Sequence, residues 1–185
     1  MTGFTEEEVR EMLTYYTEPL HLHNYTVDEL IELMKPWYDN YCFAKDSYGE
    51  TTMYNSNMVP YFIDNYIRNR GRLPKNMIEE NIRLDYNKLR MLIRKDKEFA
   101  HDASIIQQLV ENGFVAGELK TGFPAEQIGD PDNFVSLLYY FGMVTIAGNY
   151  QGKTKFVIPN KVARKQLFNF LLANHHAATQ DYHSV

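Results

Sequence analysis

The sequence predicts a mainly α-helical α+β protein with two parts. Two capping boxes, in which Thr5 and Thr26 are each followed three residues later by a glutamate, begin runs of apolar residues at helical spacing. They predict a helical lobe over residues 1–75. Over residues 102–172 the order of elements is helix, short strand, helix, hairpin and helix, which predicts a winged-helix-like module within residues 76–185.

Three helices are expected in the first lobe. The first spans about residues 5–16, the second follows Thr26 and ends near residues 36–38, and the third begins near Ser56. Pro60 is compatible with the third helix because it lies in the first turn, where its missing N–H removes no intrahelical hydrogen bond.

An aromatic tract, residues 37–55, separates the second and third helices. Aromatic residues recur there every two to four positions, which predicts two short strands that fold back on each other. The turn-forming residues of the tract are Asp39, Asn40 and Asn55. Because aromatic side chains supply much buried area, we expect the core of this lobe to contain Trp37, Tyr38, Tyr41, Phe43, Tyr54, Tyr61 and Phe62. The single cysteine, Cys42, is expected to be a small buried thiol.

The second module is expected to contain four helices, one short strand and a hairpin. In order, these are a helix from Asp85 to about Lys95, a helix over 102–112 capped by Asp102 and ended by Gly113, a strand over 114–119, a helix from Asp130 and Pro131 to Gly142, a hairpin whose loop is 148–152, and a helix from Asn160 to Leu172. Residues 174–185 carry no pattern.

Composition and charge limit the class of protein. With 185 residues, of which 44% are apolar, the chain can bury a sizeable core. A basic region followed by an apolar stretch is absent from the N-terminus, so we expect a soluble cytoplasmic protein. Residues 1–64 hold twelve acidic and three basic residues, a net charge of −9, whereas residues 65–185 carry a net charge of +4. This asymmetry disfavours nucleic acid contact by the first third of the chain.

The aromatic tract also resembles a known family. Residues 37–43 read W-Y-D-N-Y-C-F and residues 54–56 read Y-N-S. They resemble the W-Y-D-G-Y-x-F and Y-N-P motifs in the lid region of the predicted AAA-ATPase-like family of bacterial proteins. The resemblance continues through residues 81–94 and 130–146, and its ordered series of motifs covers nearly the whole chain.

This resemblance implies a function. The chain corresponds to the lid and winged-helix part of such a protein, and its implied partner is the P-loop core of the parent chain, followed in many members by a C-terminal nuclease-like domain. The corner Tyr54, Asn55 and Ser56 corresponds to the family's Y-N-P corner, which faces the nucleotide, so ATP and Mg²⁺ are implied only through that core. Asn40 stands where the family has glycine, but asparagine tolerates the positive φ that such a turn requires.

The motifs for autonomous catalysis are missing from the sequence. A phosphate-binding G-x-x-x-x-G-K-[ST] motif does not occur, so we expect no ATP binding by the isolated chain and no enzymatic activity of its own. Glu118 and Lys120 spell the E-x-K of a nuclease on the expected strand, which leaves a nuclease as a distant alternative. The histidine pairs His21/His23 and His175/His176 are interpreted as exposed loop and tail residues and not as metal ligands.

Nucleic acid binding is the main alternative to docking. The cations that could meet phosphates are Lys153 and Lys155 in the hairpin and Lys161, Arg164 and Lys165 in the last helix. The helix before the hairpin, which reads the groove in DNA-binding winged helices, offers only Asp130, Asp132, Asn133 and Ser136 as polar residues. We therefore expect the wing to pack against protein, with weak or no binding of DNA.

Overall fold

The computed structural model describes residues 3–44, 47–79, 99–122, 124, 127 and 130–180. These residues form helices and short antiparallel strands, so the α+β class is as predicted. The chain divides into two compact units. Unit 1 comprises Met1–Ile82 together with Pro159–Val162, and unit 2 comprises Arg83–Ile158 and Ala163–Val185.

Three helices lie wholly within the described residues of unit 1: α1 (Glu6–Thr17), α2 (Val27–Tyr38) and α3 (Met58–Arg68). Both predicted capping boxes are present. The Glu8 N–H donates to Thr5 Oγ1 at 3.2 Å while the Thr5 N–H donates to Glu8 Oε2 at 2.8 Å. The same reciprocal pair joins Thr26 and Glu29. Each box satisfies amides at the helix start that have no intrahelical acceptor, which explains why the sequence fixes these two starts.

The strands of unit 1 pair differently from the prediction. Two strands were expected to fold back on each other in the aromatic tract. In the described residues of that tract, Tyr41 and Met53 form a single antiparallel bridge. Instead, β1 (Gly3–Phe4) pairs antiparallel with β2 (Tyr54–Asn55). Asn40 has a φ of 74°, so the turn at this position has the left-handed conformation expected of it.

The core of unit 1 is aromatic, but three residues of the predicted set are not fully buried. Buried aromatic side chains are Tyr38, Tyr41, Tyr54, Phe62 and Tyr66, whereas Trp37, Phe43 and Tyr61 are only half-buried. Trp37 lies at the last turn of α2, next to the helix end at Tyr38, where its ring is only partly covered. The ammonium group of Lys161 lies 5.4 Å from the centroid of the Trp37 ring.

This position lowers the expected cost of truncating Trp37. A fully buried tryptophan would lose about 3–5 kcal/mol on replacement by alanine. For the half-buried ring we expect Trp37→Ala to lower the free energy of unfolding by about 1–2 kcal/mol, from lost apolar area and the lost cation–π contact. Urea unfolding followed by circular dichroism measures this, with Trp37→Phe as the control that keeps an aromatic ring. A loss above about 3 kcal/mol would contradict the half-buried placement.

Unit 2 contains a three-stranded antiparallel sheet. Its elements are α4 (Phe99–Asn112), β3 (Phe114–Gly117), a 3-10 turn (Pro131–Asn133) leading into α5 (Phe134–Tyr140), β4 (Thr145–Tyr150), β5 (Lys153–Val157) and α6, which begins at Lys161 in unit 1 and ends at Gln180. The sheet order is β3-β5-β4, so the strand that follows α4 pairs with the last strand.

Several predicted boundaries in unit 2 need correction. The helix α4 begins at Phe99, so Asp102 lies inside it and does not cap it, although Gly113 ends it with a φ of 80° as predicted. The helix α6 continues past Leu172 to Gln180, because the intervening sequence contains no glycine or proline to end it. The helix expected from Asp85 to Lys95 lies outside the described residues.

The hairpin is tighter than predicted. Its two central residues, Gln151 and Gly152, have φ values of 51° and 81°, which is the pattern of a type I′ turn and matches the twist of the paired strands. A register shift between Ile146 and Asn149 accompanies this turn.

Candidate functional site

The corner at Tyr54, Asn55 and Ser56 lies between β2 and α3. The Tyr54 side chain is completely buried, and burial raises the pKa of its hydroxyl, with the nearby Asp39 carboxylate adding to the shift. Within the described part of the chain, the Tyr54 hydroxyl and Asp39 Oδ1 are both buried without a hydrogen-bond partner. The Tyr54 side chain therefore cannot touch a ligand directly in this structure.

Asn55 is the residue that caps α3. Its Oδ1 accepts hydrogen bonds from the N–H of Asn57 at 2.9 Å and of Met58 at 3.1 Å. Asn57, the residue directly before the helix, makes no such side-chain bond. The first free amides of α3 are therefore already satisfied by Asn55, which leaves fewer of them for a bound phosphate than the sequence suggested.

A buried polar network holds this corner in place. Hydrogen bonds from the Asn55 and Asn160 side chains oppose the rise that burial causes in the pKa of the Tyr41 hydroxyl. Asn160 Nδ2 also donates to the carbonyl oxygen of Asp39 at 2.9 Å, in a fully buried position. The segment Pro159–Val162 is thus attached to the aromatic tract of unit 1. Sequence reasoning assigned Asn160 only a capping role.

The polar surface of the corner is small. Ser56 is half-buried and Asn57 is exposed, so these two residues, and not Tyr54, are available to a partner. Nearby helices carry an ion-pair network on the surface, in which Glu6 contacts Lys35 at 3.2 Å and Arg10 at 3.0 Å. Arg10 also pairs with Asp28. The hydrogen bond from Lys35 lowers the pKa of Glu6, which keeps this carboxylate ionised at neutral pH.

A basic groove that the sequence analysis missed lies at the end of α3. We use the name basic groove for the space lined by Arg68, Arg70, Arg72 and Lys75, with Tyr61 and Asn24. Its volume is about 870 Å³. The signal was present in the sequence, since R-N-R-G-R-L-P-K places four cations in eight residues. Twelve acidic residues elsewhere in residues 65–185 offset these cations in the net charge of +4.

Unit 2 brings the E-x-K residues to the edge of a smaller cavity. The strand β3 ends at Gly117, so Glu118 and Lys120 follow the strand and do not lie on it. Ser136 Oγ accepts a hydrogen bond from the Lys120 N–H at 3.0 Å and donates to the Glu118 carbonyl at 3.3 Å. Asp132 lines the same cavity of about 470 Å³. Two carboxylates therefore share this cavity.

The described residues contain no group of three His, Cys, Asp or Glu side chains placed to hold a metal ion. His21 and His23 are exposed, with ring centroids 6.0 Å apart. The side chains of His175 and His176 lie outside the described part of the structure. Cys42 is buried, as predicted, and its thiol donates to the Ala44 carbonyl at 3.1 Å.

The five cations proposed for nucleic acid contact are not equivalent. Lys155 lies over the Phe114 ring at 4.7 Å and Lys161 lies over Trp37. The remaining three are fully exposed: Lys153, Arg164 and Lys165. The helix α5 is mostly buried, its buried residues being Phe134, Ser136, Leu137, Leu138 and Tyr139. A helix with so little exposed surface cannot insert into a DNA groove without leaving its own core.

Comparison with known proteins gives no assignment: no family model, curated protein or solved structure matches this chain. Among the helices described, none combines the length and the apolar character that crossing a bilayer demands.

Proposed function

We propose that this chain is the lid and winged-helix portion of an AAA-ATPase-like protein, and that it acts as a non-catalytic docking module for a P-loop core. ATP and Mg²⁺ then bind only through that core. The observation that carries this proposal is the order of unit 2, in which a helix precedes β3, α5 follows it, and the closing hairpin gives the sheet order β3-β5-β4. This is the strand order of a winged helix, the fold that the family resemblance implies for this part of the chain.

The buried helix α5 supports docking over DNA recognition. Five of its seven residues are buried, and the polar residue Ser136 uses its hydroxyl within unit 2. Winged helices that read DNA present polar side chains of the corresponding helix to base edges. Here the same helix contributes apolar packing, which suits a module that positions neighbouring domains.

The corner of unit 1 supports a docking surface of defined shape. Asn55 and the Tyr41 network fix the start of α3, so Ser56 and Asn57 are presented on a rigid turn. Rigid presentation lowers the entropy lost on association. The net charge of −9 over residues 1–64 favours a basic partner surface.

Nucleotide titration tests this proposal. For the isolated chain we expect no heat of Mg-ATP binding in calorimetry, because a phosphate cradle is absent from its sequence. In a protein carrying both the P-loop core and this module, Asn57→Trp places a bulky group at the docking corner and should weaken nucleotide binding or hydrolysis about tenfold, or roughly 1.4 kcal/mol. Gln107→Trp, at an exposed position of α4, is the matched control and should leave both unchanged.

Two results would contradict the proposal. Micromolar affinity of the isolated chain for Mg-ATP would show that it holds a nucleotide site of its own. Equal nucleotide affinity and hydrolysis in Asn57→Trp and wild type, with the fold of both verified by circular dichroism, would remove the corner from the docking surface.

A further inference from the structure

The basic groove differs in charge from the rest of unit 1. Its lining includes Arg68, Arg70, Arg72 and Lys75, and no carboxylate occurs among the lining residues that the structure describes. Arg68 is compensated, since its Nε lies 2.8 Å from Asp64. For Arg70, Arg72 and Lys75, no described carboxylate lies within ion-pair distance. Three neighbouring cations that have no ion-pair partner in the described part of the chain form a field that attracts anions.

The backbone of the groove is held in a defined turn. The Arg70 N–H donates to the Ile67 carbonyl at 2.9 Å, and the Gly71 N–H donates to the Tyr66 carbonyl at 2.9 Å, which together form a Schellman motif. Asn24 Nδ2 donates to the Gly71 carbonyl at 2.9 Å and attaches the turn to the segment before α2. The cations therefore project from a fixed turn and not from a long loop.

Arg70 occupies the position of this motif where glycine or asparagine is usual. Its φ is 55°, in the left-handed region that a branched or long side chain adopts at a conformational cost. Favourable interaction with the helix dipole explains a cation in the last turn, such as Arg68, but Arg72 and Lys75 lie beyond it. Arg70 thus adopts a left-handed conformation in a groove that also holds Arg72 and Lys75, for which no ion pair exists among the described residues. A bound anion explains this arrangement more simply than a gain in the stability of the fold does.

We propose that the basic groove binds the phosphate backbone of a single nucleic acid strand. Guanidinium groups form paired hydrogen bonds with phosphate oxygens and also stack on bases. The asparagine carboxamides of the lining supply both hydrogen-bond donors and acceptors. The edges of nucleic acid bases require both, whereas an acidic peptide with a run of carboxylates requires only donors. A groove of about 870 Å³ admits a few nucleotides of one strand but not the width of a duplex.

Fluorescence anisotropy with the full chain tests this proposal. The probe is a labelled single-stranded DNA of about twelve nucleotides and mixed sequence, titrated at several salt concentrations from about 50 mM. The double variant Arg72→Ala/Lys75→Ala should bind at least about tenfold more weakly and should lower the salt slope by about 1.4, the value for two lost contacts with a single strand. Arg164→Ala/Lys165→Ala on α6 is the matched control, with an expected change of less than about twofold.

Arg70→Gly separates binding from folding. Glycine adopts the left-handed conformation freely, so this variant should unfold at the same or a higher urea concentration than wild type, yet bind the strand more weakly. Duplex DNA of the same sequence should bind more weakly than the single strand and lose its binding as salt is raised.

Four outcomes would overturn the proposal. The first is that the single strand does not bind at low salt, and the second is that the groove variants bind it as wild type does. The third is that the α6 control variant loses as much affinity as the groove variant. The fourth is that polyglutamate at an equal concentration of charges displaces the strand. The third outcome would show that binding is not specific to the groove and includes α6, and the fourth would identify an acidic protein segment as the occupant. Docking to a P-loop core is tested by nucleotide titration and is independent of all four.

Discussion

Replacing Phe62 by alanine should lower the free energy of unfolding of unit 1 by about 3–5 kcal/mol, the range observed for buried aromatic truncations. The Phe62 ring is completely buried. It stacks on Tyr66 with ring centroids 6.2 Å apart and an interplanar angle of 6°, and it meets the edge of Tyr38 at 6.2 Å. The substitution removes both ring contacts and leaves a cavity that neighbouring tyrosines cannot fill without turning their hydroxyl groups.

Urea unfolding followed by tryptophan fluorescence measures this loss in unit 1 specifically, because Trp37 is the single tryptophan of the chain. Tyr15→Ala is the matched control: its ring is 72% exposed, so its expected effect is within about 0.5 kcal/mol. A loss below about 1 kcal/mol for Phe62→Ala would mean that the aromatic cluster is not the core of this unit.

Local chemistry explains which parts of the fold the sequence predicts correctly. The starts of α1 and α2 are determined within four residues, by a threonine and a glutamate that satisfy each other's orphan amides. Likewise, Gly113 and Gly142 end helices through positive φ values that other residues adopt at a cost. Such signals depend on neighbours in the chain, so they can be read without knowing the tertiary structure.

The features that the sequence did not predict depend on distant pairing. The two-residue strand Gly3–Phe4 has too few residues to show alternation, and it is defined only by its partner Tyr54–Asn55. The structure explains why glycine occupies position 3, since a Cβ there would lie 2.7 Å from the Tyr54 carbonyl oxygen. Similarly, the hydrogen bond from Asn160 to the Asp39 carbonyl joins residues 121 positions apart, so the sequence around either residue does not predict it.

The corner at Tyr54, Asn55 and Ser56 stays a predicted site, and the structure changes which of its side chains are accessible. Motif resemblance pointed to the corner at Tyr54, yet burial removes the Tyr54 side chain from any ligand and leaves Ser56 and Asn57 accessible. A motif identifies residue types, whereas exposure depends on how β2 pairs with β1. The basic groove was not predicted for a different reason, since the net charge of a long segment, residues 65–185, does not show that four of its cations lie within eight residues.

The capping role of Asn55 leads to the second large effect. Asn55→Ala should lower the free energy of unfolding of unit 1 by about 1–3.5 kcal/mol, because a lost helix cap costs about 0.5–2 kcal/mol and a lost hydrogen bond about 0.5–1.5 kcal/mol. The cap is the pair of bonds that Asn55 Oδ1 accepts from Asn57 and Met58. The buried bond is the one to the Tyr41 hydroxyl, which keeps only Asn160 as a side-chain partner when the Asn55 carboxamide is removed.

Two further variants separate the parts of this effect in the same urea titration. Asn55→Asp retains an acceptor at the start of α3 but loses the amide donor towards Tyr41, so its expected loss is intermediate. Asn57→Ala should change stability by less than about 0.5 kcal/mol, since Asn57 makes no capping bond despite standing next to the helix. The order Asn55→Ala, Asn55→Asp, Asn57→Ala therefore tests the capping geometry directly, and a larger loss in Asn57→Ala than in Asn55→Ala would show that geometry to be wrong. If the expected order is found, Asn57 is the one corner position where a bulky group can block docking without unfolding the surface that docks.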